Sequence, residues 1–208
     1  MVSSKPVYSF EEADSKNRML LGGKGAGLSE MTRLKLPVPA GFTITTEVCN
    51  KYYDNNKKLP KDLMPAVMKN IAKMEKKTGK KWNSIKNPLL VSVRSGAATS
   101  MPGMMDTILN LGLNEQTVEG LAEQTKNPRF SWDSYRRFIQ LFGKVVFGIN
   151  DEKFDHVLDA VKEKQGITDD SKLNVESLKA IVLQYKKICE EHTKRKFPDT
   201  PDEQLVLS

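Results

Sequence analysis

Cysteine and histidine are nearly missing from this 208-residue sequence, which has two of each. Cys49 and Cys189 are too far apart in the chain to form a disulfide framework, so a reducing compartment such as the cytoplasm is the simpler expectation. His156 lies off the apolar stripe of its segment and His192 ends another stripe near a helix C-terminus, both ordinary surface or capping positions. No nucleophile constellation, metal-ligand cluster or acidic pair spaced to hold Mg²⁺ can be found in the sequence. Nor does any run approach the roughly 20 apolar residues of a membrane-spanning helix. Residues 1–8 lack the apolar core of a secretory signal, and no internal repeat or low-complexity tract occurs.

What the chain has in excess is lysine. The formal net charge is +7, and it is concentrated between positions 51 and 90, where eleven lysines face only Asp54, Asp62 and Glu75. In that stretch Leu63, Val67, Ile71 and Met74 form one helical stripe, while Lys69, Lys73, Lys76, Lys77 and Lys80 cover most of the remaining surface. A nucleic-acid surface would add arginine and interleaved aromatics, and this segment has no arginine, so the pattern reads as a solvated helix face.

The sequence changes character near Asn114. Before it, α and β signals mix: a glycine-rich turn at positions 22–27, a helix carrying Leu28, Met31 and Leu34, and a period-2 strand over 42–46 in which Phe42 and Ile44 share the buried face. A short apolar run over 89–93 suits a buried strand. After Asn114, itself a helix cap, the patterns are helical. Tyr135, Phe138, Ile139, Phe142, Val145 and Val146 make one stripe, and Leu178, Ile181, Val182, Tyr185, Ile188 and Cys189 a second. Phe154, Val157, Leu158 and Val161 supply a third, and a small helical bundle would bury all three. Thr200, Pro201, Asp202 and Glu203 start a last helix with barely two turns before Ser208, from which a longer parent protein is expected.

Three segments could carry chemistry. In "LLGGKGAGLSEM", Gly22, Gly23, Gly25 and Gly27 surround Lys24 before a helix. Glycines allow backbone N–H groups to approach an anion, and Lys24 adds a full charge. The segment is not a Walker A loop, since Gly25 follows the lysine, and it reads equally as an anion site and as a structural turn. Arg94 ends the predicted strand at 89–93, where a planar guanidinium suits either a phosphate or a salt bridge. The loop beyond it holds Met101, Met104 and Met105 beside Pro102 and Gly103, a lid or a satellite core. Arg136 and Arg137 flank the Tyr135 stripe, which places both at the side of their helix and away from its buried face.

The runs "LLGGKGAGLSEMTRLKLPVPAGFTITTE", "LLVSVRSGAATSMPGMMDTILNLGLN" and "NPRFSWDSYRRFIQ" resemble the N-terminal ATP-binding region of the pyruvate, phosphate dikinase family across most of residues 7–150. The first pattern is shared with phosphoenolpyruvate synthases, whereas "SMPGMMDTILNLGLN" favours the pyruvate, phosphate branch. The resemblance implies an α+β, ATP-grasp-type lobe over 1–113, a mostly helical subdomain over 114–199, and a helix beginning at 200–208 that returns to the first lobe. It implies that Lys24 and Arg94 are triphosphate ligands with a catalytic role, that Gly103 and Met105 lie in a loop closing over the phosphates, and that Arg137, with Arg136 beside it, serves the same site. The expected reaction is ATP + pyruvate + phosphate = AMP + phosphoenolpyruvate + diphosphate, carried by a phosphohistidine domain of the same polypeptide in a homodimer, with Mg²⁺ ligands outside this chain. The fragment alone is expected to be inactive, and an organelle location is not excluded. The alternatives are a phosphoenolpyruvate synthase fragment and a non-catalytic nucleotide- or polyanion-binding module.

Overall fold

The computed structural model describes residues 5–96 and 106–208. Among them the chain is α+β and mostly helical, with eight α-helices and two two-stranded antiparallel sheets. It divides into two compact units, one holding the described residues up to Lys80 together with Ser95 and Gly96, the other formed by Lys81–Arg94 and Asp106–Ser208.

In the first unit β1 (Val7–Ser9) pairs with β2 (Phe42–Ile44), Val7 opposite Ile44 and Ser9 opposite Phe42. The strand is shorter than the alternation over 42–46 predicts, and Ile44 is 45% exposed. Thr45 has left the strand: its extended backbone makes the N-cap of α2 (Thr46–Asp54). The lysine-rich segment is α3 (Leu63–Thr78), where Leu63, Val67 and Ile71 are buried as their spacing predicts. Its polar side is not bare. Lys73 pairs with Glu12 at 2.5 Å and Lys77 pairs with Glu11, both from the segment after β1. These side chains are partly exposed, so each pair adds well under about 1 kcal/mol, and their effect is mainly to fix which face of α3 meets that segment.

The glycine-rich segment departs from expectation. Most of it is helical, because α1 (Arg18–Arg33) runs through Gly23, Gly25 and Gly27 with one interruption at Gly22, whose φ of 68° is left-handed. A β-carbon there would strain the backbone, so glycine restarts the helix at this point. Gly25 is needed for a different reason, since a β-carbon on it would come within 2.7 Å of the Thr43 side chain on β2. The buried face of α1 uses Leu21, Ala26 and Ser29, leaving Met31 and Leu34, which the apolar spacing assigned to a core, 38% and 56% exposed.

In the second unit β3 (Val91–Arg94) pairs antiparallel with β4 (Thr107–Leu111), with a register shift between Val91 and Val93. The run over 89–93 predicts a buried strand. The observed strand is half-buried, with Val91 and Val93 toward the core and Ser92 and Arg94 exposed, because this two-stranded sheet has only one face to cover. Five helices follow: α4 (Glu115–Thr125), α5 (Pro128–Phe147), α6 (Glu152–Gln165), α7 (Val175–Thr193) and α8 (Pro201–Leu207). A capping box between Asn114 and Thr117 starts α4, and Pro128 opens α5 behind the Asn127 cap.

The three stripes legible in the sequence meet in this core. Tyr135, Phe138, Ile139 and Phe142 of α5 are fully buried against Leu178, Ile181, Tyr185 and Cys189 of α7, and Phe154 of α6 closes the third side with its ring 4.9 Å from that of Tyr185. Cys189 is a packing residue of this core, and burial, with the charge of Glu190 adding to it, pushes its thiol up to about 12.

Seven residues are too few for α8 to hold itself. Gln204 anchors it: fully buried, it accepts from the Gly112 backbone N–H at 2.9 Å and donates to the carbonyls of Leu113 and Pro198 at 3.0 and 3.1 Å. Replacing Gln204 by Leu keeps the volume but strands those buried backbone groups, so thermal or urea unfolding is expected to show a loss of about 3 kcal/mol. A loss within about 0.5 kcal/mol would show that packing alone docks α8.

Candidate functional site

Lys24 sits in the first turn after the break at Gly22, where helical geometry resumes and backbone N–H groups face the helix start. Its Nζ donates to the Ser95 carbonyl at 3.2 Å within the first unit. An ammonium has three donors, so this bond orients the lysine and leaves capacity for an anion.

Arg94 closes β3 opposite Thr107. It is exposed, and among the described residues no hydrogen-bond or ion-pair partner reaches its guanidinium. That removes, within the described residues, the salt-bridge reading the sequence left open. An exposed cation at a rigid strand end keeps its whole fork for a ligand.

Arg136 and Arg137 separate sharply. Arg136 is 2% exposed, contrary to the side-facing position its place beside the stripe suggests. It is sunk because carboxylates meet it: Nε and Nη2 donate to Asp133 Oδ1 at 2.9 and 2.8 Å, and Nη2 lies 3.7 Å from Asp170. Nη1 donates to Gln140 at 3.4 Å. Arg137, one residue on, is exposed, and its Nε donates to Asp133 Oδ2 at 3.0 Å. Burial raises the Asp133 carboxyl, but the charge and hydrogen bonds of Arg136, together with Arg137, outweigh it and hold the group below the ordinary carboxylate value. Asp133 was missed on the sequence, although its spacing of three and four residues to the two arginines is the helical ion-pair signature.

Lys24 thus belongs to the first unit, and Arg94 and Arg137 to the second. Gly103 and Met105, the expected lid residues, lie outside the described residues. Taken singly, an oriented ammonium at a helix start, an uncommitted guanidinium and a half-committed one are each groups that suit a phosphate oxygen. Among the described residues no group of three His, Cys, Asp or Glu side chains could hold a metal ion. Among the described residues, no helix is long and apolar enough to cross a membrane.

This α+β, mostly helical chain has clear relatives. Residues 18–57 and 55–196 match the family described as pyruvate phosphate dikinase, AMP/ATP-binding domain. The chain is 53% identical over 202 residues to the pyruvate, phosphate dikinase of Entamoeba histolytica, covering 97% of this chain and 23% of the relative. It is 47% identical to the Clostridium symbiosum enzyme of that name, over 98% of this chain and 23% of the relative. It is 44% identical to the protein named pyruvate, phosphate dikinase 1, chloroplastic, of Arabidopsis thaliana, over 100% of this chain and 22% of the relative. The chain therefore belongs to the pyruvate, phosphate dikinase family and spans under a quarter of the length of these relatives.

The buried pair makes a pH-dependent prediction. Arg136→Met leaves the Asp133 carboxylate largely desolvated with only Arg137 beside it, at an expected cost of about 3 kcal/mol near neutral pH. Because the folded-state value of Asp133 is lowered, its contribution is present above about pH 4 and is lost as the pH falls through that lowered value. Urea unfolding of wild type and variant should show the gap narrowing below about pH 4, and a gap independent of pH would assign the loss to packing.

Proposed function

We propose that this chain is the ATP-binding portion of a pyruvate, phosphate dikinase, an ATP-grasp-type nucleotide domain in which Lys24 and Arg94 grip the triphosphate and Arg137 serves the same phosphates. The division taken from the resemblance, an α+β lobe over 1–113, a helical subdomain over 114–199 and a returning helix from 200, belongs to this reading. The observation that carries it is Arg94, an exposed strand-end guanidinium without a partner among the described residues, in a chain whose family is described by AMP/ATP binding.

The chemistry asked of these residues is electrostatic. Phosphoryl transfer spreads charge over the oxygens of the transferring and leaving groups, and fixed cations already in place stabilise that charge without reorganising. Lys24, held by the Ser95 carbonyl, supplies a point charge; Arg94 supplies paired donors. Gly103 and Met105, outside the described residues, are assigned to the same phosphates by the resemblance alone. Mg²⁺, where bound, supplies further charge neutralisation, and its ligands belong to other parts of the protein.

In the whole protein the reaction is ATP + pyruvate + phosphate giving AMP, phosphoenolpyruvate and diphosphate, relayed by a phosphohistidine domain of the same polypeptide in a homodimer. The cytoplasm is the proposed location, with the chloroplastic name of the Arabidopsis relative keeping an organelle open. Consumption of phosphate, measured directly, separates this activity from that of a phosphoenolpyruvate synthase.

Arg94→Ala in the intact protein should slow the ATP-dependent partial reaction about a hundredfold while leaving phosphoryl exchange between phosphoenolpyruvate and pyruvate near wild type. Equal losses in the two half-reactions, measured by isotope exchange, would show a folding defect and remove Arg94 from the site.

A further inference from the structure

Arg137 is a long, exposed side chain, and such an arginine ordinarily loses much rotamer freedom when it grips a ligand. Here that freedom is already restricted. Asp133 Oδ2 takes the Arg137 Nε–H at 3.0 Å, and Asp133 is itself immobilised, because its other oxygen receives two hydrogen bonds from the buried Arg136. Arg136 is locked in turn by Gln140 and by the nearby Asp170 carboxylate. A continuous chain of contacts therefore runs from the helical core out to one surface guanidinium. Only one of the five Arg137 donors is used, and among the described residues its Nη1 and Nη2 groups have no partner.

We propose that Asp133 is a positioning residue for nucleotide binding, fixing Arg137 through Nε so that both Nη groups are presented to a phosphate. This rests on Arg137 being a phosphate ligand, as proposed above. Asp133 does not cancel the charge that Arg137 offers, because the same carboxylate is the main counter-ion of Arg136. Its role is directional: the i, i+4 pair selects a rotamer, and a preset rotamer lowers the ordering cost of each hydrogen bond formed to the ligand.

The test is a double-mutant cycle on the intact protein, with ATP affinity read by isothermal titration calorimetry and folding followed by thermal unfolding. In Asp133→Asn the amide keeps the shape, and its oxygen is held by the buried Arg136. The NH₂ group is left facing the Arg137 Nε–H, donor against donor. Asp133→Asn should weaken ATP binding about fivefold, Arg137→Ala about tenfold, and the double variant no more than Arg137→Ala alone. Should Asp133→Asn fail to fold, Asp133→Glu completes the same cycle, because it keeps a carboxylate for Arg136 but displaces the oxygen that holds Arg137. Losses that multiply in the double variant would overturn the proposal, since Asp133 would then act independently of Arg137. Wild-type affinity in the Asp133 variant beside weakened binding in Arg137→Ala would overturn it as well. Wild-type affinity in Arg137→Ala is a different result: it removes Arg137 from the phosphate site, and the positioning role falls with it.

Discussion

The second unit depends on burying one face of α5. Tyr135, Phe138, Ile139 and Phe142 lose all contact with water, and α4, α7 and β4 each pack against the helix that carries them. Each such side chain contributes roughly 1.5–3 kcal/mol on burial, so this face outweighs the exposed ion pairs around it. Because successive helical residues are about 100° apart, fixing the apolar face also fixes what borders it. Asp133 and Arg136 lie at the edge of the buried face, and Arg137 falls one step outside. The exposed Arg137 is therefore positioned by aromatic packing several residues away, and its setting is as stiff as the core.

The first unit sets its lysine by a local device. One left-handed glycine interrupts α1, and the helix restarts with Lys24 in its first turn, while close approach of Gly25 to Thr43 ties that restart to the small sheet. Helix propensity argues against so many glycines in a helix, at roughly 1 kcal/mol each relative to alanine. Two of them have a structural reason: close approach of Thr43 requires a residue without a side chain at Gly25, and the break in the helix requires a left-handed residue at Gly22. A helix start rich in glycine is also open to an anion, which a start crowded by side chains is not.

Much of this was legible in the sequence, and the failures have physical causes. The three apolar stripes, the Asn114 and Thr200 caps and the change of character after Asn114 follow from periodicity and capping chemistry, and the structure realises each. Periodicity misplaced Arg136, because it counts an arginine as surface and cannot see the carboxylates that make its burial tolerable. It also over-read Ile44 and Met31, since a two-stranded ribbon and a short amphipathic helix have less interior to offer than the alternation of residue types suggests. The glycine-rich run read as a turn because glycine marks both turns and close packing, and only a partner such as Thr43 distinguishes them. Of the residues proposed to meet phosphate, Lys24, Arg94 and Arg137 were visible as residue types in suitable places, whereas Asp133, whose importance is in what it holds, was not.

Arg94, Arg136 and Arg137 of the second unit differ more sharply in their free donors than in their exposure. Arg136 has both Nη groups and its Nε committed to Asp133 and Gln140, so a phosphate could reach it only by displacing a buried ion pair, which is strongly unfavourable. Arg137 has given up Nε alone, and Arg94 nothing among the described residues. The series runs from a buried, ion-paired cation, through a braced one, to an uncommitted one. Such a gradation suits charge stabilisation: the uncommitted guanidinium can follow a ligand as its charge shifts, while the braced one defines a direction that the ligand must meet. Neighbouring arginines of identical chemistry thus differ in the donors they keep free, and the carboxylate they share decides which is which.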